Sequence, residues 1–169
     1  MTPTLQASLQ VREFLQMEAC PYEWQRMDLY LLRDEQTVFY VGQSQSAFAR
    51  VWTHFYAGFK ARSVMGRFIV CNWPVSMRFT IELMQARHPR FAAHNHDLNQ
   101  AEQALIAEYR PCLNTTHNPN PLPLPAGYTH PLTPLRLRLH PKRCIQQAAE
   151  SLDHSGLRRF IEMERHDSA

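Results

Sequence analysis

Apolar and aromatic residues are concentrated in two short stretches in the first third of the chain. Residues 28–33 and 37–42 are rich in aliphatic, aromatic and β-branched side chains, and the polar residues 34–36 separate them. Two such stretches joined by a short polar connection predict a β-hairpin. Gly42 ends the second stretch, where a residue without a Cβ lets the backbone turn tightly.

The spacing of apolar residues then changes to a helical period. The apolar positions recur at i, i+3, i+4 and i+7: Phe48, Val51, Trp52 and Phe55. This pattern predicts a core-facing stripe on a helix over residues 46–57, with Ser46 as N-cap and Gly58 as the stop. Arg50 and His54 are four residues apart, so they are neighbours on another face of the same helix.

Four further elements follow from composition and periodicity. Residues 4–19 have a helical composition with a ragged apolar stripe, which predicts an N-terminal helix. Residues 67–72 and 76–84 are predicted to be strands, because they are rich in β-branched and aromatic side chains. Residues 99–109 are predicted to form a helix that ends before a proline.

Proline dominates the next part of the chain. Residues 111–141 contain eight of the twelve prolines, which predicts an extended segment that crosses the domain surface or links it to the tail. Residues 135–139 alternate and suggest a short strand. Residues 142–165 are predicted to be helical, with Gly156 as a break.

The order of these elements predicts the fold class. We expect an α/β (α+β) protein with a small mixed, mostly antiparallel sheet flanked by helices. An N-terminal helix and a Pro-rich C-terminal extension are expected to flank it.

Composition narrows the class of protein. The chain has 169 residues, is 44% hydrophobic and 20% charged, and contains no apolar run long enough for a transmembrane helix. No secretory signal is evident, and the four cysteines are widely spaced, which is typical of reduced thiols. We therefore expect a cytoplasmic protein that does not bind membranes.

Positive charge is concentrated in the middle of the chain. Residues 40–96 contain seven arginine or lysine residues and a single acid, Glu82. Such a block suits a polyanion binder, although a solvated basic face would have the same composition.

Six positions in this order resemble the GIY-YIG endonuclease superfamily. The matching residues are Asp28-Leu29-Tyr30, Tyr40-Val41-Gly42, Arg50, His54, Glu102 and, twelve residues later, Asn114. The first tripeptide departs from the family pattern, with Asp28 in place of Gly and Leu29 in place of Ile. The resemblance covers a nuclease domain over residues 27–116, between a helical extension (1–26) and a Pro-rich segment with a C-terminal helix (117–169).

The resemblance implies a metal-dependent endonuclease that hydrolyses DNA. Tyr30 would act as general base, because a nearby positive charge favours the phenolate, and Tyr40 would orient the water or the phosphate. Arg50 can donate two hydrogen bonds to a phosphate, assisted by His54. The alternatives are an aromatic pair on adjacent strands, a solvated helix arginine and a half-buried helical histidine.

Glu102 is the implied metal ligand, and Asn114 is expected to brace the site through hydrogen bonds. A single carboxylate suits Mg²⁺ (or Mn²⁺), since Mg²⁺ keeps most of its waters. Two alternatives stay open at this point. Asn99 and Glu102 could form a capping box at the start of the helix, and Asn114 could be an ordinary turn residue.

Further residues are expected to contact nucleic acid. These are Gly42, Lys60, Arg62 and Arg67, with Arg136, Arg138, Lys142 and Arg143 as an extension along the tail. Residues 88–97 hold His88, His94, His96 and Asp97, which suggest either a transition-metal site or a solvated loop. The expected partner is DNA, branched or nicked; the alternatives are a catalytically silent nucleic-acid-binding module and a sequence-specific restriction-like nuclease.

Overall fold

A four-stranded antiparallel sheet organises the protein. The computed structural model describes residues 3–135 and 138–166, with side chains described up to residue 153. The strands are β1 (Gln6–Gln10), β2 (Leu29–Arg33), β3 (Val38–Gln43) and β4 (Thr80–Met84). Their spatial order is β1-β4-β2-β3, so β1 and β3 are the edges. Every pairing is antiparallel.

Helices cover both faces of this sheet. The α-helices are α1 (Val11–Phe14), α2 (Ala47–Gly58), α3 (Val64–Cys71), α4 (Leu98–Tyr109) and α5 (Pro141–His166). The core on one face includes residues of α1, α2, α3 and α5, and the core on the other face includes residues of α4. The α+β class is therefore confirmed. No helix in the described parts of the chain is long and apolar enough to cross a membrane.

Strand β2 contributes to both cores because successive side chains of a strand point to opposite faces. Tyr30 and Leu32 belong to the larger core, whereas Leu29 and Leu31 belong to the core under α4. This double burial explains the continuous apolar run in β2. The strands predicted over 28–33 and 37–42 are confirmed, as are the helices predicted over 46–57 and 99–109.

The predicted N-terminal helix over residues 4–19 is wrong for most of its length. Residues Gln6–Gln10 form β1, and only Val11–Phe14 are α-helical. Strand β1 pairs with β4, and Ala7 and Leu9 pack against the larger core. A sheet edge supplied by a distant part of the chain overrides the local helical composition, because β pairing depends on the partner strand.

The strand predicted over residues 67–72 is also wrong, since these residues lie in or directly after α3. Ser63 caps α3 by accepting a hydrogen bond from the Gly66 N–H at 3.0 Å. The apolar side chains that suggested a strand are instead buried inside a helix. The strand predicted over 76–84 is shorter than expected, because Val75–Arg78 form a 3₁₀ turn before β4.

The Pro-rich segment lies across the domain surface. Asn72 binds the backbone of Thr129 twice, accepting from its N–H at 2.7 Å and donating to its carbonyl at 3.0 Å. The Tyr128 hydroxyl donates to Asp34 Oδ2 at 2.6 Å. Part of the suggested strand 135–139, including Arg136, lies outside the described residues. Helix α5 continues through Gly156 without the expected break.

Candidate active site

A cleft of about 520 Å³ gathers five of the six residues singled out by the sequence. These five are Tyr40 from β3, Arg50 and His54 from α2, Glu102 from α4, and Asn114. Further polar side chains also line it: Thr53, Arg62, Ser63, Thr115, Thr116 and His117. The cleft therefore combines cations, hydroxyls, imidazoles and one carboxylate.

Tyr30, the sixth residue, lies behind the cleft wall and is joined to it through His54. Its side chain is 3% exposed, and its hydroxyl is 2.7 Å from His54 Nε2. The other ring nitrogen, His54 Nδ1, is 2.6 Å from Ser63 Oγ. The three side chains form a continuous hydrogen-bonded chain from β2 to the start of α3.

Glycines allow this chain of side chains to form. Gly42 is directly opposite Tyr30 in the antiparallel register, and a Cβ on Gly42 would lie 2.4 Å from the Tyr30 hydroxyl oxygen. On the other side of His54, a Cβ on Gly66 would lie 1.7 Å from the His54 carbonyl oxygen. Two close backbone approaches thus fix the positions of Tyr30 and His54.

Burial determines which of these groups carry charge. Burial, followed by the positive charge of Arg50, lowers the pKa of His54 from 6.5 to about 4. Its imidazole is therefore neutral near pH 7, with one ring nitrogen able to accept a proton. Burial is also the main reason that the pKa of Tyr30 lies well above its ordinary value.

The raised pKa values keep Tyr30 and Tyr40 protonated near pH 7. Neighbouring Tyr40 and Glu102 add to the rise in the pKa of Tyr30, while Arg50 opposes it. Burial and Glu102 similarly raise the pKa of Tyr40. A phenolate at Tyr30 therefore needs either additional positive charge in the cleft or a base that takes its proton.

Glu102 does not cap its helix. Asp97 is the N-cap of α4 and accepts from the Gln100 N–H at 2.9 Å, so the Asn99–Glu102 capping box is wrong. Instead, Glu102 Oε2 accepts a hydrogen bond from Gln43 Nε2 at 2.8 Å. Burial raises the pKa of Glu102, against the hydrogen bond from Gln43 and the charge of His117.

The surroundings of Glu102 fit a divalent metal bound through one protein carboxylate. Among the described residues Glu102 forms no salt bridge, so its partly desolvated charge is not balanced by a lysine or arginine contact. A cation there would offset that desolvation. The described residues contain no group of three or more His, Cys, Asp and Glu side chains that could hold a metal ion. A metal held by Glu102 alone would have to keep most of its waters, as Mg²⁺ does.

The transition-metal site suggested for residues 88–97 does not assemble in the described residues. His88 Nδ1 accepts from the Arg90 N–H at 3.2 Å, and His96 Nδ1 lies 3.0 Å from the Ala86 carbonyl oxygen. These imidazoles hold the local turns of the connection before α4.

Asn114 braces the edge strand of the sheet. Its Oδ1 accepts from the Val41 N–H at 2.9 Å, and its Nδ2 donates to the Val41 carbonyl at 2.8 Å. Asn118 in turn donates to the carbonyls of Pro111 and Asn114. The turn that follows α4 is thereby fixed against β3, with Thr115, Thr116 and His117 facing the cleft.

The residues expected to contact nucleic acid lie in different places. Arg62 lines the cleft, and Lys60 is exposed on the α2–α3 connection. Arg67 is engaged with the Pro-rich segment, because Nε donates to the Pro131 carbonyl at 3.3 Å and Nη2 to the Thr133 carbonyl at 3.2 Å. Gly42 packs against Tyr30.

Sequence reasoning missed Ser63 and His117, which line the cleft, and Gln43, which bonds to Glu102. Ser63 was hidden by the incorrect strand over 67–72, although a serine before an apolar run is a recognisable N-cap signal. Gln43 directly follows the Tyr-Val-Gly tripeptide and carries no signal of its own. His117 lies outside the segment that the resemblance covers, so only the folded structure brings it near Glu102.

In comparisons with known proteins, no family model, no curated protein and no solved structure matches this chain.

Proposed function

We propose that this cleft hydrolyses phosphodiester bonds of DNA with the aid of a divalent metal, as the resemblance to GIY-YIG endonucleases implies. One observation carries the proposal. Residues chosen for order and spacing along the chain lie around a single cleft, although they come from β3, α2, α4 and the turn after α4. Structural roles are present as well, since the Tyr30 and Tyr40 rings lie 6.3 Å apart and Asn114 braces β3. These roles do not account for the meeting of Arg50 and Glu102 in the same cleft.

The cleft has the charges that a phosphodiester requires. Arg50 and Arg62 both line it, and a guanidinium can donate two parallel hydrogen bonds to phosphate oxygens. Among the described residues neither arginine forms a salt bridge. Both are therefore available to stabilise negative charge that develops on the phosphoryl group.

Neutral His54 positions Tyr30. With Nδ1–H donating to Ser63 Oγ at 2.6 Å, His54 Nε2 accepts a hydrogen bond from the Tyr30 hydroxyl at 2.7 Å. In the proposed reaction the positive charge of Arg50 and of the bound metal would lower the pKa of Tyr30, so that Tyr30 first loses its proton to solvent and then takes a proton from the attacking water. Tyr40, which lines the cleft, orients the water or the phosphate.

Glu102 would hold the metal, which is Mg²⁺ or Mn²⁺. When bound, the metal supplies positive charge to the phosphoryl oxygens and the leaving 3′-oxygen. Gln43 orients the Glu102 carboxylate through its hydrogen bond. Asn114 keeps β3, and with it Tyr40, in place.

The test is nicking of supercoiled plasmid in Mg²⁺, with and without chelator. We expect cutting by the wild type that stops with chelator, and a loss of at least about a hundredfold in Arg50→Ala and Glu102→Ala. Arg12→Ala is the matched arginine control, since Arg12 contacts Gln10 at the opposite edge of the sheet. Binding of DNA without cutting, with every divalent metal tested, would instead favour the catalytically silent nucleic-acid-binding module.

A further inference from the structure

A second, smaller hollow adjoins the cleft. Its volume is about 210 Å³, and it lies between the start of α3 and the Pro-rich segment. It shares Arg62, Ser63 and Val64 with the cleft. Its other lining residues are Ala61, Arg67, Pro131 and Leu132. The hollow is therefore continuous with the surface where the phosphodiester is proposed to bind.

The Leu132 side chain lies at the edge of this hollow and is largely exposed to solvent. It is 82% exposed. The turn that carries it is fixed, because the Thr133 N–H donates to the His130 carbonyl at 3.0 Å and the Leu132 N–H donates to His130 Nδ1 at 3.1 Å. Arg67 binds the carbonyls on both sides of Leu132. These hydrogen bonds hold the exposed Leu132 in a fixed position.

Val64 provides a second exposed apolar side chain in the hollow. It is the first residue of α3 and is 46% exposed. The connection before it contains Ala61, whose φ of 53° is in the left-handed region that alanine rarely adopts. Backbone strain of this kind is typical of segments shaped for binding.

We propose that this hollow receives one unstacked base of the DNA strand bound in the cleft. The inference rests on the proposed function. Leu132 and Val64 would contact the apolar face of the base, as apolar side chains do when they separate neighbouring bases. Arg62, which lines both cavities, would bind the phosphate between that base and the cleft.

This assignment restricts the substrate. In continuous duplex DNA each base is stacked and paired, so filling the hollow requires unstacking. In a flap, a junction or a single-stranded end the base is already free. The enzyme should therefore prefer branched or single-stranded DNA to continuous duplex.

The test measures binding in chelator, where no metal-dependent cutting interferes. The probes are a DNA flap and a continuous duplex of the same sequence, with 2-aminopurine at each position next to the junction. For the wild type we expect tighter binding of the flap, by about tenfold, and a rise in fluorescence at one position. Leu132→Ala should remove both the rise and most of the preference, because the apolar contact is lost.

Matched variants distinguish loss of the contact in the hollow from loss of any exposed apolar side chain. Val64→Ala should lower the flap preference, whereas Val75→Ala should keep it, since Val75 is 59% exposed and lies outside both cavities. Leu122→Ala is the corresponding control for Leu132. Equal binding of the two DNAs by the wild type, or an unchanged preference in Leu132→Ala, would overturn the proposal, as would a wild type that binds neither DNA.

Cleavage in Mg²⁺ distinguishes the two proposals. A flap preference that depends on Leu132, without any cutting, would refute the nuclease and leave the base-binding hollow. Cutting of flap and duplex at equal rates, unaltered in Leu132→Ala, would refute the hollow and leave the nuclease.

Discussion

The two edges of the sheet use polar side chains in different ways. At the β1 edge the contacts of the strand end are local: the Gln10 N–H donates to Glu13 Oε2 at 2.7 Å, and Arg12 Nε donates to Gln10 Oε1 at 2.6 Å. One distant contact, from Gln85 Nε2 to the Thr4 carbonyl at 3.1 Å, holds the chain just before β1. At the β3 edge the contacts join distant segments. Asn114 binds the backbone of Val41, 73 positions away, and Gln43 binds Glu102, 59 positions away.

The difference supports the proposal that the active site lies at the β3 edge. The contacts of Gln10 and Glu13 cap the start of the short helix α1, which is a structural role. At the β3 edge, buried Asn114 and Asn118 must form hydrogen bonds to offset their desolvation, and they do. In the cleft beside this edge, burial raises the pKa of Glu102 and lowers the pKa of His54. Buried polar groups with shifted pKa values are typical of an active site.

The largest effect on stability is expected beneath the cleft, at Gly66. An added Cβ would lie 1.7 Å from the His54 carbonyl oxygen, a backbone atom that cannot rotate away. Gly66→Ala should therefore lower the free energy of unfolding by about 4 kcal/mol, measured by urea denaturation. Gly127→Ala is the control, since its Cβ would meet no atom within 4 Å. Equal stabilities of the two variants would contradict this packing.

A smaller loss is expected when the brace of β3 is removed. Asn114→Ala leaves the N–H and the carbonyl of Val41 without these partners, which should lower the free energy of unfolding by about 3 kcal/mol. Asn120→Ala, at an exposed site in the same segment, should change it by less than about 0.5 kcal/mol. Similar urea midpoints for the two variants would mean that Asn114 does not brace the strand.

Low pH should lower the free energy of unfolding, because His54 in the cleft is buried in its neutral form. Its folded pKa, about 4, is below the unfolded value, so its neutral form stabilises the fold fully above about pH 6.5. As the pH falls from 6.5 to 4 the unfolded chain takes up the proton first, and about 1–2 kcal/mol is lost after allowing for partial exposure. His54→Gln should lack this part of the pH dependence in urea titrations. An unchanged pH profile would show that His54 is not held neutral.

The β1 edge should tolerate change. Ser8 is exposed on β1, so Ser8→Ala should alter the free energy of unfolding by less than about 0.5 kcal/mol and leave cleavage unchanged. Urea denaturation and plasmid nicking would check this. A loss of cleavage in Ser8→Ala would contradict the proposal that only the β3 edge takes part in the reaction.

Local sequence pattern was sufficient for the elements that hold the site. The hairpin of β2 and β3 and the helix α2 could be predicted because the spacing of their apolar residues, and the residues that end them, lie within a few positions of each other along the chain. Strand β1 was not, because it depends on pairing with β4, more than sixty residues away. Helix α3 was not, because a helix buried among other elements carries the same apolar residues as a buried strand.

The candidate site shows the same limit. Order and spacing indicated Tyr40, Arg50 and Glu102, whose convergence the structure then displays. Gln43 and His117 have no pattern of their own, since tertiary contacts alone bring them near Glu102. Ser63 carries an N-cap signal, but that signal does not place it beside His54. The capping box at Glu102 was wrong because the helix begins earlier than composition indicated, at Leu98 with Asp97 as its N-cap.

The most direct test compares two glutamates of α4 in the same reaction. Glu102 lies in the cleft, whereas Glu108 is exposed and binds Arg90 at 2.6 Å. Single-turnover cleavage of a labelled DNA flap in Mg²⁺ should be at least about a hundredfold slower in Glu102→Gln. Glu108→Gln should match the wild type. Full activity in Glu102→Gln, or equal losses in both variants, would contradict a metal-dependent active site at the β3 edge.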